Sequence, residues 1–216
     1  MCGRYFLKDS PKAIRDRLAA LSGDNWDWRV SEFPTLGCFN MAPGQSHPVA
    51  CVVNGEMVIV NRDWGLVPAW MKDPSKAQIN ARAETVWEKP MFRDAVRKGR
   101  CLVPASGWYE WQQGEQGKQP HALAPMEDTV LLFAGIEENG TFAILTRDAS
   151  PALAHIYPRM PCVLSAEAAA AWLGADDEAA AAALKLRVQG TFKAWPVASR
   201  VNNPRNDDPQ NLDPAV

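Results

Sequence analysis

Cys2 carries the most distinctive chemistry in this sequence. It is small and penultimate, so removal of Met1 would leave one residue bearing both a free α-amine and a thiol. Their reference pKa values, roughly 7.7–8.0 and about 8.5, leave part of the amine and a little of the thiol nucleophilic near neutral pH. A 1,2-aminothiol can do what neither group does alone. The amine condenses with an aldehyde to an imine, and the thiol closes on the same carbon to give a five-membered thiazolidine. The residues read as an aldehyde-capturing or acyl-transferring N-terminal nucleophile. Small residues at position 2 are common, however, so Met1-Cys2-Gly3-Arg4 needs partners elsewhere in the chain.

Glu110 is the first of these, set between Trp108, Tyr109 and Trp111. Aromatic neighbours solvate charge poorly and raise a carboxyl pKa toward the range useful for general acid–base work. The solvent face of an amphipathic strand accounts for the residue equally well. Asn80, followed by Ala81-Arg82, can orient an amine or a phosphate, or serve only a turn. Of the three histidines, His47 and His121 fall in strand-like runs and read as structural, whereas His155 lies shortly before Arg159 in a Pro-bracketed segment. Arg93, Arg97, Lys98 and Arg100 form a compact basic cluster, either a nucleic-acid patch or a solvated helix face. The nine tryptophans supply core and, beside arginines, surfaces on which unpaired bases stack.

Composition narrows the classes. The five cysteines are scattered and form no C-x-x-C pair, which argues for free thiols in a reducing cytosol and against a zinc site or disulfide framework. No H-E-x-x-H, Walker or dinucleotide motif is present, so no metal and no cofactor are expected. The formal charge of −2 gives no global attraction to nucleic acid, and binding would need a local patch. No apolar run suits a membrane span and no secretory signal is visible, so a cytoplasmic location is expected.

The elements that must position these residues alternate between short strands and flanking helices. Ser10-Pro11 opens a helix with Ile14, Leu18 and Leu21 on one face, and Gly23 ends it. Residues 24–34 read as irregular. Asn54-Gly55 between two β-branched runs, His47 to Val53 and Met57 to Asn61, signals a hairpin. Asp63 to Trp70 reads as a rigid loop running on to Asn80. A Pro90-interrupted helix is expected from Val86 to Lys98, stopped by Gly99. Strands follow at 101–104, 107–112, 121–123, 130–135, 141–146 and 162–164, then helices capped at Ser165 and opened by Asp176. The polar tail from Val197 reads as disorder-prone. The whole is one α+β domain over residues 1–216 with a largely antiparallel sheet and no repeats.

Taken together, Met1-Cys2-Gly3-Arg4-Tyr5, Asn40-Met41-Ala42-Pro43-Gly44, Trp64-Gly65-Leu66-Val67-Pro68-Ala69-Trp70, Asn80-Ala81-Arg82-Ala83-Glu84-Thr85, Gly107-Trp108-Tyr109-Glu110-Trp111, Arg159-Met160-Pro161 and the stretch from Val197 to Asn206 resemble the SOS response-associated peptidase family, whose members are also called abasic-site processing proteins. The resemblance spans nearly the whole chain. It implies a compact, barrel-like β-rich domain, a monomer with an ordered tail, nucleoid-associated when on DNA. It implies binding of single-stranded DNA and covalent capture of abasic sites by Cys2, after autocatalytic or aminopeptidase removal of Met1, with possible autoproteolytic and lyase activity. By the same resemblance Asn80 holds the Cys2 amine and Glu110 is the acid–base group. Arg4, Arg82 and Arg159 look like phosphate and sugar ligands, joined in DNA binding by Arg93 and by Trp70 as a wedge or stacking surface. One position departs from the pattern: Tyr157 stands where the family shows a histidine two residues before the arginine of Arg-Met-Pro. In an extended segment His155 and Tyr157 would point to the same side, leaving either to take that role. Two other readings compete, a thiol peptidase acting on peptides and a non-catalytic single-strand binder.

Overall fold

The computed structural model describes residues 2–22, 28–30, 37–115, 117–186 and 192–215. A short strand β1 (Tyr5–Leu7) precedes helix α1 (Pro11–Ser22), whose Ile14 and Leu18 are buried as their spacing predicts. Strand β2 (Trp28–Val30) forms within the stretch expected to be irregular, because it finds a parallel partner in a later strand, a contact that local sequence cannot announce. The rest of that stretch lies outside the described residues. Strand β3 (Cys38–Met41) is followed by the hairpin of β4 (Ser46–Val53) and β5 (Glu56–Trp64). Its turn is Asn54-Gly55, with φ of 54° and 82°, the left-handed pair that a two-residue hairpin demands.

Asn80 is not in a loop. It begins β6 (Asn80–Arg82), which pairs in parallel with a later strand. The expected long helix contracts to α2 (Arg93–Lys98), with turns before it, since Pro90 supplies no amide hydrogen to a helix begun at Val86. Strands β7 (Arg100–Ala105), β8 (Gly107–Gly114), β9 (Gly117–Pro125), β10 (Leu131–Glu138) and β11 (Thr141–Asp148) run longer than predicted. Asn139-Gly140, with φ of 53° and 74°, is a second hairpin turn between β10 and β11 that the sequence reading passed over. Strand β12 (Arg159–Pro161) sits a few residues earlier than the strand expected at 162–164, where Val163 makes only an isolated bridge to Phe133. Helices α3 (Ala166–Leu173) and α4 (Asp177–Ala183) start at Ser165 and Asp176, whose side chains accept from backbone amides as N-caps do. Strand β13 (Phe192–Pro196) and two 3₁₀ turns, Ser199–Asn202 and Pro209–Leu212, order the tail, so its polar composition does not make it disordered.

The strands make two sheets. One runs β12-β11-β10-β7-β4-β5-β2, and a parallel contact of β11 with β5, Thr141 to Asp63 and Phe142 to Trp64, closes its middle five strands into a barrel. The other runs β13-β9-β8-β1-β3. The main core lies between barrel and sheet and contains Cys2, Tyr5, Trp64, Trp108 and Phe133. A smaller cluster of Phe6, Tyr109, Ala122, Ala124, Val197 and Val201 shows what orders the tail: two of its valines are fully buried there. The fold is thus α+β, with a mostly antiparallel, barrel-like core and flanking helices, as the sequence predicts.

Candidate active site

Strand β1 lies between β3 and β8, which fixes everything just before it in the chain. Tyr5 pairs with Trp108 and Phe6 with Gly107. A Cβ at Gly107 would stand 2.3 Å from the Phe6 ring, so only glycine lets β8 come this close. The pairing runs on through the Tyr109 amide, which donates to Arg4 O at 3.0 Å, and carries Glu110 alongside Gly3 and Cys2.

Cys2 is fully buried, with its Sγ 3.9 Å from Arg4 O. Burial first, and then the neighbouring Glu110 charge, push its thiol pKa well up. The thiol is therefore held protonated, unlike the thiolate of a cysteine poised to attack first. Asn80 Nδ2 donates to Cys2 O at 2.8 Å, while its Oδ1 is buried without a partner. Parallel pairing of β6 with β11, Asn80 opposite Ile144, aims that amide inward. Glu110 is 3 % exposed, and burial lifts its carboxyl to about 7. The solvent-face alternative for Glu110 fails, since the side chain is buried.

Arg4 is half-buried, and its Nη1 donates to Asn40 Oδ1 at 2.6 Å and to Val201 O at 2.7 Å. Asn40, 1 % exposed, donates in turn to the carbonyls of Val201, Asn203 and Asn206. The tail is thereby buckled onto the strand next to the nucleophile. Arg159 is held by Glu84 at 2.8 Å, Asp148 at 2.6 Å and Thr146 O at 2.7 Å. Arg82, exposed on β6, lies across from Thr146. Trp70 is 58 % exposed in the loop after β5. Arg93 is on α2, 3.9 Å from Asp94, while the neighbouring Arg100 is only 7 % exposed and paired with Asp177 at 2.6 Å. The structure gathers Cys2, Asn80 and Glu110, sets Arg82 and Arg159 along β11, and leaves Arg93 on a separate helix.

The histidine question resolves differently from the sequence expectation. Residues 151–156 form a turn in which the amides of Ile156 and Tyr157 donate to Leu153 O, so this segment is not extended and the same-side argument for His155 and Tyr157 does not hold. His155 is exposed, and its carbonyl accepts from Gln112 Nε2 at 3.1 Å. His121 instead stands directly opposite Glu110 in the β8–β9 ladder, so both side chains leave one face with Cβ atoms about 4.5–5.5 Å apart. Its Nδ1 lies 3.2 Å from Gln119 O. A carbonyl only accepts, so Nδ1 carries the hydrogen and Nε2 the lone pair in the neutral ring. Folding the sequence symmetrically about the turn from Gly114 to Gly117 would have paired 110 with 121. His47 is a core residue, 4 % exposed among Tyr5, Trp64 and Phe142, with burial lowering its pKa.

Among the described residues no group of three acidic, cysteine or histidine side chains could hold a metal, and no helix is long and apolar enough to cross a membrane. The fold and this N-terminal cysteine site together define a family: the chain belongs to the SOS response associated peptidase (SRAP) family, which matches residues 1–204. It is 33% identical over 94% of its length to the abasic site processing protein HMCES of Gallus gallus, covering 72% of that protein. It is 29% identical to the abasic site processing protein YoqW of Bacillus subtilis, with 99% of each chain covered. Among solved structures, a phage-related protein from Bordetella bronchiseptica aligns with a TM-score of 0.70 at 27% identity, over 91% of this chain and 94% of that one.

Proposed function

We propose that this protein binds single-stranded DNA and captures abasic sites covalently through Cys2 once Met1 has been removed. The observation that carries the reading is the juxtaposition of three groups: a buried cysteine at the N-terminus, an asparagine with a buried vacant acceptor beside it, and a carboxyl titrating near 7. Names of relatives agree with it, being those of abasic site processing proteins.

Each group has a task that the reaction requires. The ring-opened abasic sugar presents an aldehyde. The Cys2 amine, with Asn80 Oδ1 to accept one of its hydrogens, adds to that carbon, and water leaves to give an imine. The Cys2 thiol then adds across the C=N bond, its proton passing to nitrogen, and the thiazolidine is complete; one water is lost overall and no oxidant is needed. Glu110 at a pKa of about 7 is present in both forms near neutrality. It can protonate the departing hydroxyl and afterwards receive the thiol proton. A thiol held protonated by burial suits a sequence in which the amine acts first. Arg82, Arg159 and Arg4 would serve the strand's phosphates and sugar, and Trp70, the exposed aromatic of its loop, would stack on a base.

The test is intact-mass measurement after incubation with abasic single-stranded DNA. The expected product is the protein lacking Met1 plus the oligonucleotide, less one water, stable to heat. Cys2→Ala should form no heat-stable adduct, and Cys2→Ser only an imine trapped by borohydride. A stable adduct of undiminished yield with Cys2→Ala would overturn the proposal, and release of a fluorogenic peptide without any DNA adduct would favour the peptidase reading instead.

A further inference from the structure

Arg147 has no place in the chemistry above, yet it is one of the least comfortable side chains in the molecule. It is 8 % exposed; its Nη1 donates to Leu186 O at 2.6 Å and its guanidinium lies in hydrogen-bonding reach of the neutral Cys162 thiol, but Nε and Nη2 are buried and meet no oxygen acceptor. A buried cation is ordinarily paired. The nearby carboxylates do not pair it, since Glu84 and Asp148 both turn to Arg159. An open cleft of about 480 Å³ lies against this arginine, with Trp87 and Leu184 as apolar wall, Lys185 at one side, and Glu84 and Asp148 on the other.

We infer that this cleft is an anion subsite for a backbone phosphodiester of the DNA strand, flanking the abasic nucleotide. The inference rests on the DNA-binding reading given above. Charge selects the class of anion. Arg147 and Lys185 line the cleft with Glu84 and Asp148, and Arg159, outside the lining, already pairs with both carboxylates, so these five groups together carry one net positive charge. A singly charged phosphodiester meets it, whereas a dianionic phosphomonoester would be left in surplus beside two carboxylates. The apolar wall fits the carbon atoms of a neighbouring sugar. Position sets the reach: Asn80, which holds Cys2, pairs with Ile144, and Arg147 lies three residues further along β11, about 10 Å away and, the offset being odd, on the opposite face, so a DNA strand reaches it around the end of β11. Nε and Nη2 are covered in the free protein, and presenting them takes a side-chain rotation of the kind common on binding.

The experiment is equilibrium binding of an undamaged single-stranded oligonucleotide across a salt series, for the wild type, Arg147→Met and Lys185→Glu. Loss of one phosphate contact should reduce the slope of log K against log salt by about 0.7 and weaken binding. Lys185 is exposed, so its variant keeps the test open if Arg147→Met does not fold, and matched thermal melts identify that case. Slopes unchanged from wild type in folded variants would overturn the subsite. Abasic crosslinking by the wild-type protein is scored separately: its failure sinks the capture reading, while intact capture with unchanged slopes sinks only the cleft.

Discussion

Two regions of this protein each bury a polar group that the polypeptide itself does not satisfy, and they differ in sign. Beside Cys2 the vacancy is an acceptor, Asn80 Oδ1, and the Glu110 carboxyl lies close enough to raise the Cys2 thiol. Beneath the cleft bordered by β11 and α4 the vacancies are donors, two nitrogens of Arg147. A buried unmet acceptor next to a carboxyl welcomes an amine, and a buried guanidinium without a counter-charge welcomes an anion. The contrast extends to Arg147 and Arg159, one strand apart. Arg159 pairs with Glu84 and Asp148, whereas Arg147, on the other face of β11, pairs with neither. Neighbouring arginines of one sheet thus differ because alternate residues of a strand face opposite sides.

The acceptor side should be the more sensitive to change. Glu110→Gln and Asn80→Leu each remove a group that the proposed capture uses, and single-turnover capture should slow by about 10²–10⁴-fold for Glu110→Gln, as loss of general acid–base catalysis does. A variant with the parent's rate would erase the distinction drawn between the two regions.

The same carboxyl makes a prediction about stability. Glu110 titrates near 7 in the folded protein against 4.5 ordinarily. Between those values the folded state holds a proton that the unfolded state has lost, so stability falls as pH rises through this window, by about 3 kcal/mol once pH exceeds the folded value. Glu110→Gln should flatten the dependence of Tm on pH over this range. A parent Tm that rises from mildly acidic to neutral pH in step with Glu110 ionisation, followed by NMR, would contradict the assignment.

Binding surfaces come next in size. Trp70→Ala should weaken single-strand binding by about 1–3 kcal/mol, the contribution of one stacked base, with little dependence on base identity. Measured affinity equal to the parent's would remove Trp70 from the strand's path. The smallest effects should separate the histidines. His121→Phe should slow capture by about tenfold, below the usual span for a group at the reacting atoms, and shift the pH profile of the rate. His155→Ala, which alters an exposed ring and leaves the carbonyl contact to Gln112, should change little. The reverse ranking, with His155→Ala nearly inactive and His121→Phe unaffected, would put His155 rather than His121 beside the reacting groups.

What the sequence by itself determined was local chemistry and local geometry. The aminothiol potential of Cys2 is covalent structure and needs no fold. Asn54-Gly55, Ser165 and Asp176 were legible because turns and caps are made by adjacent residues. The tertiary structure alone decided which distant groups meet. The parallel pairing of β11 with β5 that closes the barrel, the placement of Asn80 on Cys2, and the burial of the tail against Phe6 and Tyr109 join segments far apart in the chain. Arg147 gave no signal in the sequence at all, because an arginine is unremarkable until its surroundings are known. Composition could count carboxylates and guanidinia, but only packing could show that Arg159 pairs with two acids while Arg147 is buried with none.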